Sequence, residues 1–409
     1  MPARGNCAVA GEGGTLRGVR ESDSRGRLER LSTIYLDYHA TTPVDRRVSD
    51  AVNRAQDVAF GNPNSQHALG RAAAAAIERA RGEVALLVGA EADDVRFTGS
   101  ATEALRLALS FALEDAGGRT LRVLSTPIEH PALMSALAEL ERSGLARVKW
   151  LTVDQSARID LEQLAGRLPD ADLLCLMAVN NEVGTIQPFE EAAALASSCG
   201  VRCLIDATQG AGRIALDAQC EGIDYLVFAA HKIYGPKGVG ALVGAGLSRR
   251  PSPPGWPGHE PTPNTPAIVG FGEAARLRRL ERATDEGRIA SLRDRLQARL
   301  MAGVDGLTVN GGTAHRVAGN LHISVPGIQN DVVTAQLDGV VAISTGAACV
   351  SGVDQPSHVL RAMGLEPWRQ EGALRISLGK FTTEEEVDRA AEAIITAVRD
   401  VRTLLETGA

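Results

Sequence analysis

The sequence predicts an α/β protein with a mainly parallel, seven-stranded sheet flanked by helices, together with a smaller α+β domain. The first observation is that short apolar runs alternate with longer segments rich in Ala, Leu and Glu from Ile34 to about Gly246. This alternation is typical of a parallel sheet with helices on both faces. The second is a change of pattern after residue 267, where strands and helices follow one another in a different order.

Each predicted strand of the first part is a short apolar run. Helical patterns lie between most of them, at 66–88, 101–115, 132–142 and 189–199. Ligands of such sheets bind beyond the carboxyl ends of the strands, so we expect the functional residues there. The strand runs are "DVRFTG", "LRVLSTP", "RVKWLTV", "LLCLMAV", "CLIDAT", "YLVFAA" and "VGALVG".

A proline-rich connection at 247–267 precedes the second part. It leads to a helical pattern at about 271–303, a helix near 331–337, and apolar runs "NLHISV", "VAISTG" and "ALRISL". The last helix opens at Thr382/Thr383, with glutamates at capping-box spacing. We therefore predict a tail at 1–32, a large domain at 33–265 and a small α+β domain at 266–409. The segment around 34–48 is a candidate to pack with the small domain.

Composition excludes several classes of protein. The chain has 409 residues, of which 44% are hydrophobic and 3% aromatic, and a net charge of −7. This balance argues against direct nucleic-acid binding, which favours a basic surplus. No run approaches the 18 or so apolar residues of a membrane span, and the first 32 residues lack the apolar core of a signal peptide. Six scattered cysteines, without a CxxC pair, predict reduced thiols in the cytoplasm.

The stretch "FAAHKIYGPKGVGALVGAG" at 228–246 places Lys232 where the flanking chain is predicted to be buried. An average lysine at a strand end extends its ammonium to water. A lysine held in apolar surroundings is instead a nucleophilic amine that can form a Schiff base, the attachment that pyridoxal phosphate (PLP) requires. Lys237 is the rival, but its position within the turn favours a solvated role.

A PLP site also needs a carboxylate for the pyridinium nitrogen and a phosphate cradle. Asp206 ends the apolar run "CLIDATQG" and is followed by Gln209. Asp206 is a candidate for that carboxylate, although a helix N-cap is an equal alternative. In "FTGSATEALRLAL" a strand passes into a helix near Ala101, so free backbone N–H groups are available to an anion.

These residues resemble a family, the PLP-dependent cysteine desulfurases (NifS/IscS-like, aminotransferase class V, fold type I). The resemblance runs from "IYLDYHATTPVDRRV" at 34–48 to "LRISLGKFTTEEEVDRA" at 374–390. Between them lie further motifs in the order of the family: "FGNPNSQHALGR", "FTGSATEA", "IEHPA", "VNNEVGTIQP", "IDATQGAGR", "HKIYGPKGVGAL", "STGAACVSG" and "PSHVLRAMG".

The resemblance implies a role for each matching residue. Lys232 holds PLP and acts as the base at the substrate Cα, Asp206 pairs with the pyridine nitrogen, and His130 stacks on the ring and serves in proton transfer. Arg375 clamps the α-carboxylate of L-cysteine. The other implied contacts are Gln209 and Asn181 with the ring hydroxyl, Asn181 also with the substrate, Ala101, Thr102 and His231 with the phosphate, and Thr262 with the phosphate of the neighbouring subunit in a homodimer.

Cys349, in "AISTGAACVSGVDQPSH", occupies the position of the family's nucleophile. It would take the sulfur of L-cysteine as a persulfide, leave alanine, and pass the sulfur to an acceptor protein. We expect structural or neutral roles for the other cysteines. The remaining histidines share no metal-ligand spacing, and we predict no metal. Ala229 stands where the family usually has a serine, which removes one hydroxyl from the phosphate and predicts weaker PLP binding.

Three interpretations remain open. The first is a cysteine desulfurase that supplies iron–sulfur assembly, tRNA thiolation or DNA phosphorothioate modification. The second keeps PLP with another outcome, such as a selenocysteine lyase, a class V aminotransferase or an epimerase. The third is a non-catalytic sulfur-relay scaffold. The presence of Lys232, Asp206, His130, Arg375 and Cys349 together favours the first.

Overall fold

A computed structural model describes residues 33–253, 256, 262–345 and 357–407. Its centre is a seven-stranded sheet in the order β4-β3-β5-β6-β7-β8-β2. Six of these strands run in the same direction, and β8 runs opposite to them. The predicted fold class is confirmed. The strands are β2 (Val95–Thr98), β3 (Leu121–Ser125), β4 (Ala146–Trp150), β5 (Leu173–Met177), β6 (Arg202–Asp206), β7 (Tyr225–Ala229) and β8 (Gly240–Val243).

Helices cover both faces of this sheet because its strands are apolar on both sides. In β7, for example, Leu226 and Phe228 enter the core on one face, while Tyr225 and Val227 enter the core on the other. The first core also contains α2, α6 and the beginning of α7, and the second contains α3 and α4. The helices up to this point are α1 (Arg46–Val58), α2 (Ala68–Leu87), α3 (Ala101–Asp115), α4 (Pro131–Arg142), α5 (Leu161–Arg167) and α6 (Phe189–Ser198).

A third core lies around a three-stranded antiparallel sheet. The sheet has the order β12-β10-β9, and a separate two-stranded pair joins β1 to β11 in parallel. This core is closed by the end of α7 together with α11. The elements are β1 (Ile34–Tyr35), β9 (Thr308–Val309), β10 (Asn320–Ser324), β11 (Val341–Ala342), β12 (Ala373–Ser377), α8 (Asn330–Gln336), α9 (His358–Ala362), α10 (Pro367–Glu371) and α11 (Glu384–Thr407).

One long helix, α7 (Thr265–Gly303), contributes to two cores. Residues 267–277 pack on the central sheet, and residues 289–300 pack on the three-stranded sheet. The helix begins six residues before the predicted pattern because Asn264 caps it, accepting a hydrogen bond from Ala267 N at 3.1 Å, and Pro266 suits the first turn. The division into domains at residue 265 stays a prediction.

Local signals account for other helix ends as well. Thr383 Oγ1 accepts from Glu386 N at 3.2 Å, and the Glu386 carboxylate accepts from Thr383 N at 2.9 Å, which is the capping box expected before α11.

Within the described ranges, no helix combines the length and the apolar character that crossing a bilayer demands.

Candidate active site

Lys232 lies just beyond the carboxyl end of β7, at the edge where the parallel strands end. It closes a single turn of 3-10 helix, Ala230–Lys232, that follows the strand directly. Its Nζ donates to the carbonyl oxygens of His39 at 2.6 Å and Ala40 at 2.9 Å. Lys237 is exposed, as its position in the turn predicted. The partly buried lysine is therefore the one placed at the ligand-binding edge of the sheet.

Asp206 ends β6, the strand next to β7, and is buried. Its Oδ1 accepts from Thr208 N at 2.9 Å. Because residues 208–213 form turns and no helix begins there, the N-cap alternative is wrong. A buried carboxylate at a strand end can instead face a ligand.

His130 is the N-cap of α4, and its Nδ1 accepts from Ala132 N at 3.1 Å. The proton of the neutral ring therefore lies on Nε2. Burial lowers the pKa of His130, the ammonium of Lys232 lowers it further, and the carboxylate of Asp206 acts in the opposite direction. Three separate strand ends thus bring His130, Asp206 and Lys232 within electrostatic reach of one another.

The turn that follows β1 fills the space beside these groups. Gln209 Nε2 donates to the carbonyl of His39 at 2.8 Å, and His231 Nδ1 lies 3.1 Å from Thr41 Oγ1. Burial, followed by the charge of Lys232, lowers the pKa of His231 to about 4, so this ring is neutral at physiological pH. Asn181 is buried, and its Oδ1 has no hydrogen-bond partner among the described residues.

The beginning of α3 approaches the sheet closely at Gly240. A Cβ at that position would lie 2.9 Å from Ala101 N, so the absence of a side chain lets the first turn of the helix sit against the strand. Ser100 caps the helix by accepting from Glu103 N at 3.1 Å, and Thr102 is exposed in the first turn. Such a helix terminus is suited to a phosphate.

Arg375 lies on β12 and is 1% exposed. Its Nη2 donates to Asp37 Oδ1 at 2.9 Å, and its Nη1 donates to the carbonyl of Asn181 at 3.3 Å. Its Nε is buried with no hydrogen-bond partner among the described residues. A buried donor without a partner is costly, and a carboxylate that accepts from Nε and one Nη would satisfy this one.

The roles of two predicted site residues stay predictions. Cys349 lies outside the described residues. Thr262 is exposed on the segment that enters α7, and its contact with a neighbouring subunit stays a prediction. Arg375 lies within β12 of the three-stranded sheet, whereas the other predicted residues end strands of the central sheet or follow the carboxyl ends of those strands.

Sequence reasoning missed Asp37 and His39. The backbone of His39 accepts hydrogen bonds from Lys232 and Gln209, and its ring is 1% exposed. Burial, with the charges of Arg213 and Arg375, holds the pKa of His39 well below its usual range. The signal was present, since both residues lie in "IYLDYHATTPVDRRV", but only the tertiary contacts give them a role.

Comparison with known proteins identifies the family. The family model for aminotransferase class-V matches residues 34–390. A cysteine desulfurase IscS of Anaeromyxobacter sp. (strain Fw109-5) is 42% identical over 381 residues, covering 90% of this chain and 93% of the relative. The chain belongs to the cysteine desulfurases of aminotransferase class V.

Solved structures of similar proteins agree with this assignment. A NifS-like protein is 32% identical with a TM-score of 0.82, and the match covers 90% of this chain and 99% of the other. A structure of SspA in complex with cysteine is 27% identical with a TM-score of 0.73, and covers 86% and 100% respectively.

Cysteine desulfurases of this class depend on PLP, and the residues present fit that group. The Oδ1 of Asn181 and the Oγ1 of Thr208 are buried polar atoms without partners in the described part of the chain, and they lie in the segments that follow the neighbouring strands β5 and β6. Gly240 allows the first turn of α3 to lie directly against the strand. Buried polar atoms without partners are groups that a polar ring would satisfy, and the beginning of α3 suits its phosphate.

Proposed function

We propose that this cysteine desulfurase converts L-cysteine to L-alanine and leaves the sulfur on Cys349 as a persulfide. The observation that carries the proposal is the convergence of Lys232, Asp206 and His130 at one edge of the sheet, together with the Nε of Arg375, which has no partner among the residues that the structure describes. The bound cysteine of the SspA structure supports the choice of substrate.

The described residues divide the work of holding the cofactor. Lys232 would hold the PLP aldehyde covalently, Asp206 would keep the pyridine nitrogen protonated, and His130 would lie against the ring. When bound, PLP supplies an electron sink for the substrate carbon. The remaining contacts of the proposal are Gln209 and Asn181 at the ring hydroxyl, Ala101, Thr102 and His231 at the phosphate, and Thr262 at the phosphate of the neighbouring subunit.

The substrate would be oriented from the opposite side. Arg375 would donate hydrogen bonds to the α-carboxylate from the edge of its guanidinium that Asp37 leaves available. This contact would fix the Cα of cysteine relative to Lys232. Lys232 is then the base that moves the Cα proton. His130, with its pKa lowered by burial and by Lys232, is neutral at physiological pH and suited to proton transfer through Nε2.

The short distance in sequence between Ser344 and Cys349 supports the role proposed for Cys349. Ser344 and Arg375 exchange two backbone hydrogen bonds, at 3.1 and 2.7 Å. Cys349 follows Ser344 by five residues, which span at most ~18 Å when fully extended. The sulfur of the substrate bonds to the Sγ of Cys349 as its bond to Cβ breaks. The Cβ carbon keeps that electron pair and takes the thiol proton, so the products are alanine and a persulfide.

The test is a pair of cysteine substitutions. In Cys349→Ser we expect no sulfide release from L-cysteine in the presence of a thiol reductant, whereas PLP content and cysteine binding are retained. Cys199→Ser is the matched control, since Cys199 is a free and exposed thiol, and its rate should equal that of the wild type. Undiminished sulfide release by Cys349→Ser would refute the assignment of the nucleophile. Parallel assays with selenocysteine would identify a selenocysteine lyase by a preference for that substrate.

We also propose that the enzyme is a homodimer in the cytoplasm. Val58 and Phe60 are 68% and 67% exposed, and the backbone of Leu69, which is also exposed, lies close to Gly61. Exposed apolar side chains that lie together favour a protein interface. The free thiols Cys175, Cys199, Cys203 and Cys220 suit a reducing compartment. Analytical ultracentrifugation tests the first point, since a monomer at micromolar concentration would contradict it, and cell fractionation tests the second.

The persulfide requires an acceptor protein. We propose that it supplies iron–sulfur assembly, tRNA thiolation or DNA phosphorothioate modification, and that nucleic acid is reached only through that partner. The net charge of −7 supports this indirect route. Capture of proteins that take radiolabelled sulfur from the persulfidated enzyme would identify the acceptor, and direct binding to DNA at physiological salt would contradict the proposal.

A further inference from the structure

A buried polar cluster joins the beginning of α9 to the residues that precede α4. Ser357 Oγ donates to Glu182 Oε2 at 2.5 Å. His358 Nε2 donates to the carbonyl oxygen of Glu129 at 2.9 Å, and its Nδ1 lies 3.9 Å from Glu182 Oε1. Because a carbonyl only accepts, the Nε2 of His358 must carry a proton.

The carbonyl held by His358 belongs to the peptide unit that enters His130. This unit is planar, so a bond to its oxygen restrains the orientation of the His130 backbone nitrogen as well. His130 then adopts the extended conformation of an N-cap, and its ring bonds back to Ala132 N. The position of the His130 ring therefore depends on a contact made from a segment 228 residues further along the chain.

We propose that His358 is a positioning residue for His130, with Glu182 and Ser357 fixing its own orientation. The inference rests on the proposed function, in which His130 contacts the cofactor and moves a proton. His358 touches neither cofactor nor substrate in this role. It fixes the turn from which His130 projects, and it adds a titratable neighbour to the surroundings of that ring.

Charged groups face the rings of both His130 and His358. His130 faces Asp206, Lys232 and His358, and a positive charge on His358 lowers the pKa of His130. His358 faces His130 and Glu182. Burial raises the pKa of Glu182, and its hydrogen bond from Ser357 and the charge of His358 act in the opposite direction. Removal of the imidazole at 358 therefore shifts the pKa of His130 upward.

Two substitutions separate positioning from charge. His358→Gln puts an amide nitrogen near the place of Nε2, so it retains a donor for the Glu129 carbonyl but cannot titrate. His358→Phe fills similar space without a donor. We expect kcat within about twofold of the wild type for His358→Gln, and a loss of roughly tenfold for His358→Phe, which corresponds to one hydrogen bond. The KM for L-cysteine should stay unchanged in both.

A second readout does not depend on activity. Hydrogen–deuterium exchange at the ring C2 position, followed by mass spectrometry across pH, reports the titration of each histidine separately. The midpoint at His130 should move to higher pH in both variants, whereas the midpoint of exposed His315 should not move. An unchanged midpoint at His130 in His358→Gln would overturn the charge coupling, and full kcat in His358→Phe would overturn the positioning.

The two proposals fail in different ways. If wild-type protein loaded with PLP forms no alanine from cysteine, the proposed function fails, yet the exchange at His130 still tests its link to His358. If the wild type is active and both variants match it in rate and in exchange, the link fails and the function stands. If His358→Phe does not fold, the kcat of His358→Ala, which also lacks a donor, decides the positioning, and the His130 midpoint in His358→Gln decides the charge coupling.

Discussion

Replacement of Arg375 by lysine tests the substrate clamp. The guanidinium donates to Asp37 and to the Asn181 carbonyl, which leaves Nε without a partner in the described structure. Lysine keeps the positive charge but loses the planar fork, so a bidentate contact with the substrate carboxylate becomes a single one. A hydrogen bond to a charged group contributes about 1.5–3 kcal/mol, which corresponds to a rise in KM for L-cysteine of about 10- to 150-fold.

The assay for Arg375→Lys is alanine formation as a function of cysteine concentration, with the melting temperature measured in parallel. Arg278→Lys is the matched control. Arg278 is also 1% exposed and is paired with Asp285 and Glu286, so its replacement should lower stability and leave KM unchanged. An unchanged KM in a folded Arg375→Lys protein would refute the reasoning, as would an equal rise in both variants.

Three further predictions follow from single residues. Lys232→Ala should leave no cofactor bound to the chain after borohydride reduction, detected by mass spectrometry. Burial raises the pKa of Glu129 to about 8. The folded state therefore keeps a proton that the unfolded state loses above about pH 4.5. The stability that this bound proton contributes declines as pH rises toward 8. In Glu129→Gln, the free energy of unfolding measured with urea should fall less steeply between pH 5 and 8. The two slopes should differ by at most about 1.4 kcal/mol per pH unit. Gly379→Ala should lower the free energy of unfolding by about 1–3 kcal/mol, because its Cβ would lie 2.1 Å from the ring of Tyr38.

Each of these has a control of the same type. Lys237→Ala removes an exposed lysine, and the reduced cofactor should remain bound to the chain. Glu139 is exposed, and Glu139→Gln should leave the pH dependence of the free energy of unfolding unchanged. Gly287 lies in α7 with open space where a Cβ would be, so Gly287→Ala should stabilise the protein by about 0.5–1 kcal/mol. A variant and its control that behave alike would contradict the corresponding prediction.

The sequence predicted most of the structure correctly where the signal is local. The strand runs and helical patterns predicted the seven strands of the central sheet, and a threonine with a glutamate three residues on predicted the capping box of α11. Asp206 and Lys232 stood out because each ends or follows a buried strand. The N-cap alternative for Asp206 was open in the sequence, because the turn after β6 and a short helix share the same residue preferences.

The sequence by itself determined which groups can carry the chemistry: an amine, a carboxylate and an imidazole close to the ends of predicted elements, and a guanidinium within a predicted strand. Only the tertiary structure decided how they are held. The His39 carbonyl beneath Lys232, Asp37 beside Arg375, and His358 bonded to the Glu129 carbonyl all join residues about 190 to 340 positions apart. Such contacts leave no periodic trace in the chain, because the order of strands in the sheet, and not sequence spacing, brings their ends together.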